Sequence, residues 1–229
     1  MFNRKSPGYE IYKHPAHEGL IFRVLQKEWD NKFIKIIKRN SVDHLFISST
    51  GGAKWEQEDL SFLRDLQDHG IKHLTLAPLG RLNISPVIYL NDLESIIIDC
   101  DYSRCPNLAE FKKLKRFHGK YMPSAKSIFD CHRLESLMLF SFPHLDLRAL
   151  NNFSRLQALT ISTRKIESLA GIENLKELRN LDIHYATKLK NLNGIELCPK
   201  LESVVAFRCG DLQGLEKFGN LVDTRKGMN

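Results

Sequence analysis

The stretch that decides the fold runs from residue 166 to residue 183 and reads IESLAGIENLKELRNLDI. Its first half carries an apolar residue at every third position, namely Ile166, Leu169, Ile172 and Leu175. Steps of three suit a 3-10 or extended turn, because side chains three residues apart then lie on one side. Its second half has apolar residues at positions 1, 4 and 6 of a unit, which predicts a short β-strand: Leu178, Leu181 and Ile183.

The same pattern recurs along the chain. Units of this kind begin 20 to 23 residues apart, at Ile71, Leu93, Leu114, Leu134, Leu156, Leu178 and Leu201. An earlier, degenerate unit begins at Val42. One unit cannot bury its own apolar side, whereas stacked units share a continuous core and align their strands in a parallel sheet. The spacing therefore predicts a solenoid of about seven to eight repeats.

Residues 166–178 resemble the short, 22-residue leucine-rich repeats of bacterial internalin-like proteins, and the resemblance extends over residues 42–221. It implies an α/β repeat fold. In this fold, a right-handed solenoid has a parallel sheet on its concave side and 3-10, short helical or extended segments on its convex side. The resemblance is specific for the fold and says little about function, because function depends on the residues of a site.

One departure from the family concerns repeat position 9. The family carries an asparagine there, whose side chain ties adjacent turns together. This chain has no asparagine at that position and carries instead Leu79, Asp101, Met122, Phe142, Arg164, Ala186 and Cys209. We therefore expect a less regular solenoid than the family norm, above all around residues 100–133.

The two ends of the solenoid need covering. We assign residues 1–41 to an N-terminal cap of one strand plus a basic amphipathic helix, residues 42–221 to the solenoid and residues 222–229 to a short C-terminal tail. Trp29, Phe33, Ile36 and Ile37 indicate the helix by their spacing. At the other end, the uncharged strand Ser203–Phe207 is predicted to form an open sheet edge. Such edges pair with other chains, so a homodimer through this edge is one hypothesis.

Composition and charge narrow the functional class. No apolar run is long enough to span a membrane, no secretory signal is present, and the five scattered cysteines fit neither a disulfide framework nor a zinc site. These features predict a cytoplasmic protein. The formal net charge is +7. Residues 1–41 contribute +5 of it, from nine Lys or Arg and four Asp or Glu, which leaves +2 for the repeats.

Two segments look at first like sites for chemistry. His14, His17 and Glu18 lie close together, but Pro15 and Gly19 disfavour the helix that a metalloprotease motif requires. The glycine-rich segment of residues 48–54 lacks the spacing of a phosphate-binding loop and is interpreted as an inserted loop. We therefore predict no metal site and no cofactor.

A catalytic site on the sheet is also disfavoured. His118, Asp182 and His184 should all point outward, but His118 lies three repeats from the other two. At roughly 4.8 Å per strand, that separation is about 14 Å, which exceeds the reach of a hydrogen bond. The sequence therefore predicts a protein that is not an enzyme.

The outward face of the sheet is the candidate binding surface. If positions 1, 4 and 6 are buried, positions 3, 5 and 7 face outward, and position 8 follows just past the strand. Large apolar residues beside Arg, Tyr and His are typical of protein interfaces. The candidate partner-binding residues are Arg116, His118, Lys120, Tyr121, Met138, Phe140, Thr160, Asp182, His184, Tyr185, Val205, Phe207 and Arg208. A slip of one residue in register would instead turn Phe140 inward.

These observations favour a non-catalytic, cytosolic protein-binding module. A bacterial immunity-type role, in which the protein neutralises a toxin by covering its active surface, is a hypothesis by analogy. The alternative is a nucleic-acid-binding repeat protein that uses its basic N-terminal cap. The small net charge of the repeats makes nucleic acid a weaker candidate than a protein partner.

Overall fold

Short strands and 3-10 helices alternate along the chain in the computed structural model, which describes residues 8–15, 18–24, 29–48, 60–78 and 80–224. The chain divides into two units, residues 1–114 and 115–229. Residues 49–54 of the glycine-rich segment, and Ala16 and His17 beside His14, lie outside the described residues.

Residues 1–114 contain a sheet with the strand order β1-β2-β3-β4-β6. Strands β1 and β2 are antiparallel, and the remaining neighbours are parallel. The sheet strands are β1 (Tyr9–Tyr12), β2 (Ile21–Val24), β3 (His44–Ser48), β4 (His73–Ala77) and β6 (Ser95–Ile98). A separate parallel pair is formed by β5 (Arg81–Asn83) and β7 (Asp101–Arg104). The 3-10 helices of this unit are Ser61–Leu66, Ser85–Tyr89 and Leu108–Glu110.

The one α-helix in the described part of residues 1–114, α1 (Lys32–Arg39), packs an apolar side against the start of the sheet. Its Phe33 and Ile37 are fully buried, and the Phe33 ring lies 5.3 Å from that of Phe22 on β2. Trp29, just before the helix, stacks on Phe62 with ring centroids 4.0 Å apart. The sequence indicated the strand and the helix of this segment but not β1, because β1 is half-buried throughout and lacks an alternating pattern.

Residues 115–229 form a parallel sheet with the order β8-β9-β10-β11-β12-β13. The strands are β8 (Arg116–Lys120), β9 (Ser136–Phe140), β10 (Ala158–Ser162), β11 (Asn180–His184), β12 (Ser203–Phe207) and β13 (Val222–Asp223). Each connection contains a 3-10 helix, and these are Pro123–Asp130, Arg148–Leu150, Ile172–Asn174, Ile195–Leu197 and Leu215–Leu221.

The core of this unit comes from the two apolar patterns seen in the sequence. Positions 4 and 6 are in register from strand to strand, as in Leu137↔Leu159 and Leu139↔Ile161, so each buried row continues into the next repeat. The apolar residues at steps of three close the other side of the core. Ile166, Leu169, Ile172 and Leu175 are all at most 2% exposed. Stacking of the repeats therefore buries apolar side chains that a single repeat would leave exposed to water.

Side chains of threonine and cysteine link neighbouring repeats near the core, although position 9 carries no asparagine. The Thr163 hydroxyl donates a 2.8 Å hydrogen bond to the backbone carbonyl of Phe142. The thiols of Cys198 and Cys209 reach the carbonyls of Ile172 and Ile183, both at 3.4 Å. Each of these three side chains therefore bonds to a backbone carbonyl of the preceding repeat, and of the three only Cys209 stands at position 9.

The C-terminal end differs from the expectation. Strand β12 is not the edge of the described sheet, because Val204 and Val205 pair with Val222 and Asp223 of β13. The sequence missed this strand because two residues at the end of the last turn carry no periodic signal. The boundaries of cap, solenoid and tail otherwise stay predictions. Within the described residues, no helix has the length and apolar character needed to span a membrane.

Candidate functional site

The face of the sheet in residues 115–229 that does not contact the core carries the candidate residues. On β8 to β12, the side chains at positions 4 and 6 are buried, and those at positions 3, 5 and 7 are half-buried or exposed. Phe140 is 38% exposed, so it points outward and the one-residue slip that would bury it is absent from β9. The strand register thus places the candidate residues of positions 3, 5 and 7 on one surface.

A first cluster lies on β8 and β9. His118 is paired in register with Met138, and Lys120 with Phe140. The His118 and Phe140 rings are 5.3 Å apart. Met138 is half-buried beside them, and Arg116 is exposed at the start of β8. An apolar centre is therefore bordered by basic side chains, which is the arrangement of a protein-interaction anchor.

A second cluster lies on β11 and β12 and in the turns that follow them. The Phe207 ring lies 5.6 Å from the His184 ring and 5.7 Å from the Tyr185 ring, edge to face in both cases. The guanidinium of Arg208 lies 5.3 Å from the Phe207 ring centroid and 5.9 Å from that of Tyr185. Cation–π contacts of this kind hold Arg208 against the aromatic rings while its charge stays exposed.

Between the two clusters the surface is polar. The Thr160 hydroxyl donates a long, 3.5 Å hydrogen bond to a carboxylate oxygen of Asp182 on the next strand. Val205 is in register with Asp182 and joins this middle region to the second cluster. Tyr121 lies away from the first cluster's rings, with its own ring 5.8 Å from Phe129. All candidate residues except Tyr121 therefore belong to one surface, and Tyr121 borders it.

The backbone at the ends of three strands is unusual. Ser141, Tyr185 and Arg208 stand at position 8 with φ of 58°, 60° and 51°, in the left-handed region that residues other than glycine seldom adopt. This conformation turns the chain so that the following residue, such as Phe142 or Ala186, enters the core. It also leaves the position 8 side chain outside, which is why Tyr185 and Arg208 are exposed.

A hollow of about 490 Å³ opens at the turns that follow β9, β10 and β11 and was not predicted. It is lined by Phe140, Ser141, Phe142, Ser162, Thr163, Arg164, Lys165 and Tyr185. Arg164 and Lys165 did not enter the candidate set because they stand at positions 9 and 10 of their repeat, and the set ended at position 8, just past the strand. The signal that could have found them is their adjacent positive charge in a repeat whose neighbours carry aromatic residues at the strand end.

A hollow of about 910 Å³ within residues 1–114 is a weaker candidate. Its aromatic members Trp29 and Phe62 stack on each other and are only 7% and 8% exposed. Across the hollow, Arg64 donates a hydrogen bond to the Tyr89 hydroxyl and lies 4.8 Å from its ring centroid. Trp29 thus contacts Phe62 and Arg64 contacts Tyr89, which leaves these side chains less available to a ligand.

The geometry gives no support to acid–base chemistry on the sheet. His118 is on β8, while Asp182 and His184 are on β11, three strands away in the observed order. That places them about 14 Å apart, beyond the reach of a hydrogen bond. The described residues contain no group of three or more His, Cys, Asp or Glu side chains positioned to hold a metal ion.

Four of the five cysteines are poor nucleophiles. Burial raises the pKa of the Cys100 and Cys131 thiols to about 12 and that of Cys198 to about 11. Burial also raises the pKa of Cys209. Since the thiolate is the reactive form, these four side chains stay protonated and unreactive near neutral pH.

Comparison with solved structures identifies the fold. Over 81% of this chain and 80% of the other, it is similar to internalin C2 of Listeria monocytogenes, with a TM-score of 0.60 and 14% identity. It is similar to internalin F of the same organism over 86% of this chain and 65% of that one, with a TM-score of 0.55 and 15% identity. The chain therefore has the leucine-rich-repeat fold that its sequence predicted.

A further structure with the same fold belongs to another class of protein. The leucine-rich repeat domain of the type III effector XopL matches 87% of this chain and 79% of its own, with a TM-score of 0.58 and 17% identity. No protein-family model matches the chain, and no curated protein is similar to it in sequence. The likenesses establish the fold alone, because a shared repeat fold carries many functions.

Proposed function

We propose that this chain is a non-catalytic protein-binding module that recognises a protein partner through the exposed sheet face of residues 115–229. The observation that supports it is the pair of clusters around Phe140 and Phe207. Each presents an outward aromatic ring beside histidine and a basic side chain. Aromatic and arginine residues at the centre of a patch are the residues that dominate binding energy in protein interfaces.

The surface fits a protein better than a nucleic acid. Its middle contains the Asp182 carboxylate, which would repel a phosphate backbone. The alternative, nucleic-acid binding by the N-terminal cap, is supported by the exposed Lys32, Lys35, Lys38 and Arg39 of α1. A gel shift at low salt separates the two, since phosphate contacts weaken steeply as salt rises.

We further propose that the protein works in the cytoplasm and neutralises a toxin by covering its active surface. In support of the compartment, all five cysteines are thiols, as is usual where glutathione keeps proteins reduced. The toxin role rests on analogy with compact binding proteins that block a toxin by covering its surface, without catalysing a reaction. The toxin role is supported if co-expression of this chain protects cells from the captured partner. A partner without toxicity refutes the toxin role but leaves the protein-binding proposal standing.

A second copy of the chain is the partner we propose for the C-terminal edge. In the last turn, Leu212, Leu215, Phe218 and Leu221 are half-buried, whereas the matching residues of the preceding turn are almost fully buried. Pairing of two copies there would cover this apolar row and the edge of β13. Light scattering should detect a dimer that Leu215→Asp dissociates, and a monomer at high concentration excludes it.

The experiment for the main proposal compares capture from native extract by the wild-type protein and by two face variants, Met138→Ala and Phe207→Ala. Removal of an interface anchor typically weakens binding by at least 10-fold, about 1.4 kcal/mol or more. The matched control is Leu197→Ala, because Leu197 is 52% exposed but lies on a 3-10 helix away from the face. A partner retained by wild type and control but lost by both face variants supports the proposal. Equal retention by all four proteins overturns it.

A further inference from the structure

The hollow at the ends of β9, β10 and β11 exists because the middle turn is shorter than its neighbours. After β9 and β11, one residue in the left-handed conformation, Ser141 or Tyr185, stands outside before the chain turns inward. After β10, Thr163 turns inward at once and is only 6% exposed. The middle turn therefore recedes between two protruding turns. Two hydrogen bonds of the Thr163 hydroxyl hold the turn there. The hydroxyl donates one to the Phe142 carbonyl and accepts the other from the Lys165 N–H.

The walls of the hollow are aromatic. Phe140 on one side is 38% exposed and Tyr185 on the other is 37% exposed. They belong to strands two steps apart, so their backbones are separated by about 10 Å. That spacing leaves room for one side chain between the two protruding turns. The buried Phe142 and Thr163 form the floor.

The rim of the hollow is positively charged. Arg164 and Lys165 are exposed, and within the described residues neither side chain forms an ion pair. None of the eight lining residues is acidic. The starts of β11 and β12 are different, because charges there neutralise one another in the pairs Lys200–Glu177 and Arg179–Glu202. The positive charge at the hollow is thus available to a partner.

We propose that this hollow binds an acidic segment of the protein partner. Its carboxylates lie against Arg164 and Lys165, and one of its aromatic or apolar side chains enters between Phe140 and Tyr185. The inference rests on the proposed function and gives the chemistry of the partner at one point of its contact. Charge complementarity steers such a segment to the rim, and burial between aromatic rings holds it.

The test uses a defined probe, the blocked peptide Glu-Glu-Phe-Glu-Glu, titrated into the 15N-labelled full chain and followed by NMR. We expect its binding to shift the amide signals of Ser141, Thr163 and Lys165. We also expect affinity to fall at least about 3-fold when salt rises from roughly 0.05 to 0.5 M, because exposed charges are screened. The peptide Lys-Lys-Phe-Lys-Lys should leave these signals unchanged.

The double variant Arg164→Glu/Lys165→Glu should weaken binding of the acidic peptide at least 10-fold. The matched control is Arg155→Glu/Lys190→Glu, which reverses two exposed charges of the same unit outside the hollow. Unchanged affinity in the first variant, or equal binding of the basic peptide, overturns the inference. The inference is also overturned if inorganic phosphate displaces the peptide and causes equal shifts, because that result would indicate a site for a free anion.

The failures of the two proposals can be told apart. Met138 and Phe207 do not line the hollow, so their variants test the face alone. If they lose the partner while the acidic peptide does not bind, the face proposal stands and this inference fails. If they retain the partner, the proposed function fails whatever the peptide does.

Discussion

The hydroxyl of Thr163 lies between two repeats. It donates a 2.8 Å hydrogen bond to the carbonyl of Phe142 in the preceding repeat and accepts a 3.1 Å bond from the N–H of Lys165. The bond to Phe142 is buried and the bond from Lys165 is partly buried, and Thr163 itself is 6% exposed. One threonine thereby fixes the short turn after β10 and joins it to its neighbour.

Replacing that hydroxyl by a methyl group should destabilise the protein. Thr163→Val keeps the shape but removes a buried donor and acceptor, so we expect the free energy of unfolding to fall by about 1–3 kcal/mol. Urea denaturation measures it. The control is Thr160→Val, which lies half-buried on β10 and should change the free energy by less than about 0.5 kcal/mol. Equal losses in the two variants would show that the cross-repeat bonds contribute nothing.

Two phenylalanines two residues apart provide a test of the strand register. Phe142 is 0% exposed and Phe140 is 38% exposed. We expect Phe142→Ala to lower the free energy of unfolding by about 3–5 kcal/mol, because it leaves a cavity in the core. Phe140→Ala should lower it by about 1 kcal/mol or less, since its ring is partly in water already. If Phe140→Ala were the more damaging change, β9 would have the opposite register.

Two glycines with positive φ allow backbone strain to be distinguished from a steric clash between repeats. At Gly171 (φ 103°), an added Cβ would lie 2.6 Å from the backbone nitrogen of Arg148, whereas at Gly214 (φ 70°) it would meet nothing within 4 Å. Alanine at either position has the left-handed penalty, but only Gly171→Ala also pushes two repeats apart. We expect Gly171→Ala to lower the free energy of unfolding by about 1–3 kcal/mol more than Gly214→Ala does, and therefore to have the lower melting temperature. Similar melting temperatures for the two variants would contradict the close approach.

The buried thiol of Cys131 should make stability depend on alkaline pH. Burial, aided by the Asp130 carboxylate, raises the pKa of this thiol from 9.0 to about 12. Above pH 9 the unfolded chain loses the proton while the folded chain keeps it, so stability falls as pH rises from 9 to 12. At about pH 10.5 the loss is on the order of 2 kcal/mol.

The measurement is urea denaturation of wild type and Cys131→Ala at pH 8 and at about pH 10.5. The variant starts less stable because a nearly buried side chain is shortened, but it should lose less on going to high pH. The remaining cysteines are common to both proteins, so the difference in slope reports Cys131. Parallel slopes would mean that this thiol ionises alike in the folded and unfolded chain.

The sequence predicted the repeats well because their cause is local. Apolar residues at positions 1, 4 and 6 and at steps of three must face one side whatever surrounds them, and their recurrence leaves stacking as the way to bury them. The same alternation placed His118, Met138 and Phe140 on the outward face. Their positions in the structure follow directly from that pattern.

Other features depended on the tertiary structure, because they arise from contacts between repeats. Val222 and Asp223 form a strand only because β12 offers an edge, and nothing in their own sequence indicates it. Thr163 takes the linking role of the family's asparagine one position earlier than the repeat alignment places it. Pattern alone could not detect that shift.

The sequence by itself therefore determined the repeat fold, its exposed face and the aromatic residues on that face. Only the tertiary structure decided how the turns at the ends of β9, β10 and β11 differ in length, and hence that Arg164 and Lys165 border a hollow between Phe140 and Tyr185. The physical reason is that alternation along a strand is set by backbone geometry within one repeat. The depth of a turn, in contrast, depends on the left-handed residues and hydrogen bonds that it shares with its neighbours.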